Sequence, residues 1–169
     1  ENAIRVLMAT GGSTNLIIHL TAIAKRANID LDLMEFDRIS RETPVLVNVK
    51  PHGENTVGIE FHNAGGVASL MKVLEEQLHT DCLTVTGKTV GENLKDIDLP
   101  YDTNVIRSLD NPILDKGGIA VLKGNLAPKG AVIKRSAASA NLLNHRGEAR
   151  VFDSLEEAEK YLLDENSDM

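Results

Sequence analysis

Residues 9–15 read Ala-Thr-Gly-Gly-Ser-Thr-Asn, and this turn sets the organisation of the N-terminal half by separating two helices. The preceding segment, Ala3–Ala9, has the pattern of a helix end, and Gly11-Gly12 breaks that pattern. Ser13 or Thr14 can cap the next helix. Apolar residues recur in that helix every three or four positions, at Leu16, Ile17, Leu20, Ile23 and Ala24. The sequence therefore predicts two amphipathic helices joined by a tight turn.

Helix-start signals recur further along the chain. Each pairs a capping side chain with an acid three residues later, the form of a capping box. These pairs are Asp32 with Glu35 before a helix over Leu33–Arg41, Thr89 with Glu92, and Ser154 with Glu157 before a helix over Leu155–Leu163. Pro44 ends the helix Leu33–Arg41. Gly65-Gly66 opens a further amphipathic helix, Val67–Leu78.

The pattern changes in the C-terminal third of the chain. Three short runs there favour β-strands: Ile119–Leu122, Ala131–Ile133 and Arg150–Phe152. The sequence thus predicts a mixed α/β protein in three parts. Residues 1–98 are helix-rich, residues 99–116 form a linker or crossing segment with Pro, Asp and Asn and little periodicity, and residues 117–169 begin a β-rich domain.

Composition excludes several classes of function. The net charge of −7 argues against a nucleic-acid-binding protein, because phosphate contacts need clustered Lys and Arg. No apolar run reaches the length of a membrane span. The one cysteine, Cys82, excludes an internal disulfide and cannot by itself hold zinc or an iron–sulfur cluster. The chain lacks an initiator Met, so we expect it to be an internal piece of a longer protein.

The turn also supplies the candidate binding residues, Gly11, Gly12, Ser13, Thr14 and Asn15. Paired glycines allow close approach to the backbone, and the N-terminus of the following helix favours an anion such as a carboxylate. The alternative is an ordinary helix cap with no ligand. Spacing alone leaves both interpretations open, since this is neither a P-loop nor a dinucleotide fingerprint.

Other reactive side chains do not form a recognisable site. We expect His19 to be a packing residue within its helix, and Cys82 to be buried and inert because apolar residues flank it. Lys88 could meet an anion or could be an ordinary surface lysine. A small anion-binding enzyme would require His19 and Lys88 to converge in one pocket. No catalytic residue and no metal ligand is predicted from the residues alone.

Read in order, several segments resemble one enzyme family, which joins dihydroxy-acid dehydratase with the 6-phosphogluconate and sugar-acid dehydratases. No single segment is diagnostic, but their succession covers nearly the whole chain. The segments include Ala9–Asn15, Phe36–Ser40, Ala64–Val67, Asp81–Thr89, Asp110–Pro112, Leu122–Pro128, Gly130–Val132 and Val151–Ser154. The resemblance implies the late part of an N-terminal domain followed by the start of a β-rich, swivelling-type C-terminal domain.

The resemblance also implies a chemistry for the full-length protein. It would be a hydro-lyase that removes water from a 2,3-dihydroxy carboxylate to give a 2-keto acid, with an iron–sulfur cluster and Mg²⁺ as cofactors. The family's cluster, Mg²⁺ and catalytic-serine motifs lie outside this stretch, so no catalytic or metal-binding residue is carried over. We therefore expect the chain alone to be inactive and to bind no cofactor.

Substrate and context stay open at this point. Asp81–Thr89 and Asn125–Pro128 resemble branched-chain dihydroxy-acid dehydratases, whereas Leu46–Asn48, Glu60–His62 and His145–Gly147 resemble sugar-acid members. By resemblance the full-length protein would be a cytoplasmic homo-oligomer, a dimer or tetramer, acting on a small carboxylate without nucleic acid or membrane. The competing hypothesis is a complete, non-catalytic binding or assembly module.

Overall fold

Helices and one pair of strands make up the regular structure of the described residues, 1–51 and 53–164, in this computed structural model. The mixed α/β class is confirmed. The helices are α1 (Asn2–Ala9), α2 (Asn15–Arg26), α3 (Leu33–Glu42), α4 (Ile59–Asn63), α5 (Gly66–Val73), α6 (Val90–Leu94) and α7 (Leu155–Leu162). The strands are β1 (Ile119–Leu122) and β2 (Ala131–Lys134). Contacts divide the chain into two compact units, Glu1–Ala138 and a second unit that begins at Ser139.

Local caps start the helices where the sequence predicts them. The Asp32 carboxylate caps α3 through a backbone amide of the first turn, whereas Glu35 pairs with Arg38 and does not complete the box. Thr89 and Glu92 form a complete capping box at α6. These starts depend only on neighbouring residues, which is why sequence alone finds them.

The helix predicted over Val67–Leu78 is shorter in the structure. Helix α5 ends at Val73, and the chain continues as a single 3₁₀ turn, Glu75–Gln77. Leu74 and Leu78 nevertheless stay buried in the same cluster as Leu70. The apolar spacing therefore identified the buried face correctly, although the last turn is not α-helical.

The main core forms around an extended segment, residues 45–49. Val45 bridges to Leu114 and Val47 to Ile106, both in antiparallel orientation. Ile106 is fully buried in this core. Residues 99–116, predicted as a linker or crossing segment, thus pack against the helix-rich part and belong to the first unit. The predicted domain boundaries themselves stay a prediction.

The strand pair rests on α3. β1 and β2 are antiparallel, with Ile119 opposite Lys134. The Ser40 hydroxyl donates a hydrogen bond to the Ile119 carbonyl, and the Asp37 carboxylate accepts one from the Val121 amide at 3.1 Å. These two buried side chains join helix and hairpin across about half of the chain.

Two predictions about side-chain burial are wrong. Cys82 is exposed, because residues 80–89 reverse in a short surface turn in which Leu83 bridges only to Thr89. Leu83 and Val85 of that turn are exposed as well, so the apolar alternation there does not mark a strand or core. His19 is also exposed. Helix α2 packs through Ile17, and a side chain two positions further along a helix points to a different side.

In the second unit, the predicted strand at Arg150–Phe152 is wrong, because these residues have no regular structure. A strand needs a partner to satisfy its backbone, and the described part of this unit supplies none. The Arg150 guanidinium instead lies 4.3 Å from the centre of the Tyr161 ring, and the Phe152 ring 5.5 Å from it. Ser154 caps α7 as predicted, by accepting from the Glu157 amide.

None of the helices in the described chain combines the length and hydropathy that crossing a bilayer requires.

Candidate functional site

A cavity of about 360 Å³ opens beside the glycine-rich turn. Four parts of the first unit meet there. They are the turn, the segment that includes residues 45–49 and the two residues after it, helix α4 with the residues just before it, and the end of β2. The lining residues are Thr10, Gly11, Gly12, Ser13, Val47, Val49, Lys50, Pro51, Val57, Phe61 and Lys134. A volume of this size lies within the range of small-molecule sites.

Glycine fits this turn for a different reason at each of the two positions. Gly11 has a φ of +57°, in the left-handed region that favours glycine. A Cβ on Gly12 would lie 2.6 Å from Leu7 Cδ1. The amides of both glycines donate to carbonyls of the last turn of α1, those of Met8 and Leu7 respectively, each at 3.1 Å. These two amides therefore close α1 and are not available to a ligand.

The start of α2 offers different donors. The Ser13 hydroxyl accepts a hydrogen bond from the Asn15 amide at 3.2 Å, so Ser13 caps the helix from one position further out than Thr14. Within the described chain, the Ser13 and Thr14 amides have no hydrogen-bond partner. Helix α2 has twelve residues, so its N-terminus carries the positive end of a full macrodipole.

The five candidate residues therefore divide. Gly11, Gly12 and Ser13 line the cavity, whereas Thr14 and Asn15 do not. Binding of a ligand by any of them stays a prediction.

Lys134 is the second polar element of the cavity. It is partly buried at the end of β2, and burial lowers the pKa of its ammonium group because the charged form loses hydration. In the part of the chain that the structure describes, this ammonium has no ion pair and no hydrogen-bond acceptor. Lys50 brings a second cation, more exposed, to the same cavity. None of the described lining residues is acidic.

The rest of the lining is apolar. Val47 and Val49 are buried members of the main core, and Phe61 packs against that core while reaching the cavity. Val57 and Pro51 lie nearer to solvent. The cavity thus combines cations and a helix N-terminus with a hydrocarbon wall, an arrangement that suits a carboxylate with an apolar tail.

Sequence reasoning missed both lysines. Lys134 is more than one hundred residues from the turn in sequence, and only the packing of the hairpin on α3 brings them together. The available signal was a lysine ending a β-prone run, which is too common to be selective. Neither His19 nor Lys88 lines the cavity, so the pairing that an anion-binding enzyme would need is not formed there.

A metal ion or cluster needs several ligating side chains close together. Among the described residues, no three His, Cys, Asp or Glu side chains are grouped as a metal ion would require. Cys82 lies in the exposed turn 80–89 and is not part of such a group. The donors that an iron–sulfur cluster or Mg²⁺ needs are therefore not gathered within this part of the protein.

A second cavity, of about 280 Å³, lies between α3 and the hairpin, and its lining is ionic. The lining residues are Asp37, Ser40, Arg41, Lys116, Ala120 and Arg135. Burial alone would raise the pKa of Asp37, but hydrogen bonds from the Arg41 side chain and the Val121 amide outweigh it and hold this pKa below its usual value. The Arg41 Nε lies 2.6 Å from the Asp37 carboxylate. Asp37 and Arg41 are therefore each other's partners within the fold.

Comparison with known proteins identifies the family. The profile described as "Dihydroxy-acid/6-phosphogluconate dehydratase N-terminal" matches residues 1–93, and its C-terminal counterpart matches residues 104–168. The chain belongs to the dihydroxy-acid/6-phosphogluconate dehydratase family. The resemblance inferred from the ordered segments is thereby confirmed.

Individual relatives agree with this assignment. The dihydroxy-acid dehydratase of Methanococcoides burtonii is 49% identical over 96% of this chain. Those of Sulfurisphaera tokodaii and Ignicoccus hospitalis are 52% and 51% identical, over 98% and 95% of the chain. In each case the chain spans only about 30% of the length of the relative.

Proposed function

We propose that this chain is part of a hydro-lyase that removes water from a 2,3-dihydroxy carboxylate to give a 2-keto acid. Its family supports the reaction, and its relatives of about 50% identity carry the name dihydroxy-acid dehydratase. We further propose that the cavity beside the turn holds the carboxylate end of the substrate. The contribution of this chain is binding and orientation.

One observation carries the assignment of the cavity. Lys134 is a partly buried ammonium group without an acidic partner among the described residues, and it faces the same cavity as the N-terminus of α2. A carboxylate placed there would pair with the ammonium group and accept from the Ser13 amide. Hydrogen bonds between charged groups are shorter and stronger than neutral ones, particularly away from water.

The name of the relatives favours a branched-chain dihydroxy acid over a sugar acid as substrate. Eight relatives at 46–52% identity are each called dihydroxy-acid dehydratase. The sugar-acid interpretation rests on three short segments, of which Leu46–Asn48 is built into the core and Glu60–His62 into α4. Neither of these structural roles requires a hydroxylated substrate.

Cofactors would be supplied from elsewhere in the full-length protein. An iron–sulfur cluster acting as a Lewis acid would assist departure of the 3-hydroxyl group, and Mg²⁺ would accompany it. Because the described residues do not gather ligands for either, we propose that both are held by segments outside this chain and that the chain alone is inactive. Assembly into a cytoplasmic homo-oligomer is part of the same proposal.

Kinetics of Lys134 variants in the full-length enzyme test the assignment. Lys134→Met keeps the aliphatic stem and removes the charge, so kcat/KM for a dihydroxy acid should fall about tenfold to a hundredfold, the range expected for a hydrogen bond between charged groups. Lys129→Met is the matched control, since Lys129 is exposed and does not line the cavity. Equal kinetics in the two variants would contradict the assignment.

A further inference from the structure

We infer that Val49, Val57 and Phe61 select the substrate by the polarity of its side chain, admitting an alkyl group and rejecting a hydroxylated one. This inference rests on the proposed function, because it assumes that the carboxylate of the substrate lies near Lys134. It goes further by naming the residues that would distinguish a branched-chain dihydroxy acid from a sugar acid.

The hydrocarbon wall of the cavity consists of the side chains of Val47, Val49, Pro51, Val57 and Phe61. Val47 and Val49 expose 1% and 6% of their surface and are fixed by the core behind them. Phe61 also packs against that core, so the position of its ring is set by the fold and not by a ligand. Val57 is 56% exposed and lies on the open side of the cavity. The wall is therefore rigid at its base and accessible at its rim.

Hydrogen-bonding capacity is what the wall lacks. Pro51 has no backbone N–H, and the valine and phenylalanine side chains have no polar atoms. The polar side chains of the described lining are the two lysines, Ser13 and Thr10, and the Thr10 hydroxyl already donates to the Leu7 carbonyl at 2.8 Å. A carboxylate would occupy the lysines and the helix N-terminus, which leaves no free polar side chain among the described lining residues for additional hydroxyl groups.

The consequence for substrates follows from the cost of unpaired polar groups. A sugar acid carries a hydroxyl group on each carbon of its tail, and each one placed against the wall would lose its hydrogen bonds to water. The two alkyl groups on C3 of a branched-chain dihydroxy acid lose no hydrogen bonds there and gain from burial. The wall thus discriminates by penalty against the polar tail as well as by attraction for the apolar one.

Val57→Thr in the full-length enzyme tests this directly. The substitution is isosteric, and its site is exposed enough to accept a hydroxyl group without disturbing the core. The ratio of kcat/KM for a branched-chain dihydroxy acid to that for a sugar acid should fall on the order of fivefold to tenfold. Val85→Thr is the matched control, since Val85 is exposed in the turn 80–89 and does not line the cavity, and its ratio should equal that of the unmodified enzyme.

A second measurement needs no variant. Simple carboxylates of increasing chain length, from acetate to isovalerate, should inhibit the unmodified enzyme in competition with substrate. Each added methyl or methylene group should strengthen inhibition about threefold to fourfold. Gluconate, with hydroxyl groups in place of these, should inhibit no better than acetate.

The outcomes separate this inference from the proposed function. If Lys134→Met impairs turnover but Val57→Thr leaves the ratio unchanged and inhibition does not rise with chain length, the inference is overturned while the proposed function stands. If Lys134→Met has no effect, the cavity is not the substrate site and both are overturned. If the ratio of kcat/KM values falls in Val57→Thr but not in Val85→Thr, and inhibition rises with chain length, both are supported.

Discussion

The two cavities of the first unit receive cations from consecutive residues, but among their described lining residues only the second cavity contains a carboxylate. Lys134 lines the cavity beside the turn, and Arg135 lines the ionic cavity beside α3. In the ionic cavity the described cations share a lining with the Asp37 carboxylate, which is already bonded to Arg41 and to the Val121 amide. In the first cavity Lys134 faces valines, a proline and a phenylalanine.

A charged group with a partner in the fold and one without such a partner have different consequences. A charged group whose partner is built into the fold contributes to stability, and removing it should show in the free energy of unfolding. A partly buried charge with no internal partner is held at a cost that an incoming ligand of opposite charge would offset. The Asp37–Arg41 pair therefore makes the ionic cavity a joint between α3 and the hairpin, and the cavity beside the turn is the proposed binding site.

The largest predicted effect is at the joint. A Cβ on Gly117 would lie 2.6 Å from Ser40 Oγ and 3.0 Å from Met8 Cβ, so Gly117→Ala must displace the side chain that bonds to Ile119. We expect a loss of about 3 kcal/mol in the free energy of unfolding, measured by urea denaturation. Gly124→Ala is the control, because a Cβ there meets no atom within 4 Å. Similar stabilities for the two variants would show that the joint is loosely packed.

A smaller effect is predicted for the charge at the joint. The pKa of Asp37 is lower in the folded than in the unfolded protein. Its ionised form therefore stabilises the fold fully at pH values above its unfolded pKa of about 4. This stabilisation is lost as the pH falls through the folded pKa. Asp37→Asn should cost about 1–2 kcal/mol at neutral pH. Denaturation series between pH 7 and pH 3 should show a flatter acid dependence in the variant. Parallel pH curves would contradict a structural role for this charge.

The smallest stability effect is expected at the turn. Ser13→Ala removes the acceptor for the Asn15 amide, so the loss of stability should be at most about 1 kcal/mol, while KM for the dihydroxy acid should rise several-fold. Thr14→Ala provides the comparison, since Thr14 makes no side-chain cap and does not line the cavity. Kinetics and melting temperatures of both variants provide the measurement. If Ser13→Ala changes the melting temperature but not KM, Ser13 is a helix cap without a role in binding.

Sequence reasoning succeeded where the determining contacts are local. The Asp32, Thr89 and Ser154 caps, the breaks at Gly11-Gly12 and the strand at Ile119–Leu122 follow from neighbouring residues. The family followed from the order of many short segments, each too common to decide alone.

It failed where burial depends on distant partners. The apolar alternation around Cys82 satisfies the pattern of a strand, but no neighbouring element covers it among the described residues. For the candidate site, the sequence located Gly11, Gly12 and Ser13 at the cavity but could not supply Lys134, whose approach depends on Asp37 and Ser40 fastening the hairpin to α3. Long-range polar contacts of this kind leave no periodic signal.

The ionisation of Lys134 tests the central claim most directly. In the full-length enzyme with ¹³C-methylated lysines, with the Lys134 signal assigned by its absence in Lys134→Arg, the pKa should lie below the usual lysine value in the free enzyme. Saturating isovalerate should raise that pKa, because a carboxylate placed beside the ammonium group stabilises its charged form. A Lys134 pKa that isovalerate leaves unchanged, while the same isovalerate inhibits turnover, would contradict the account.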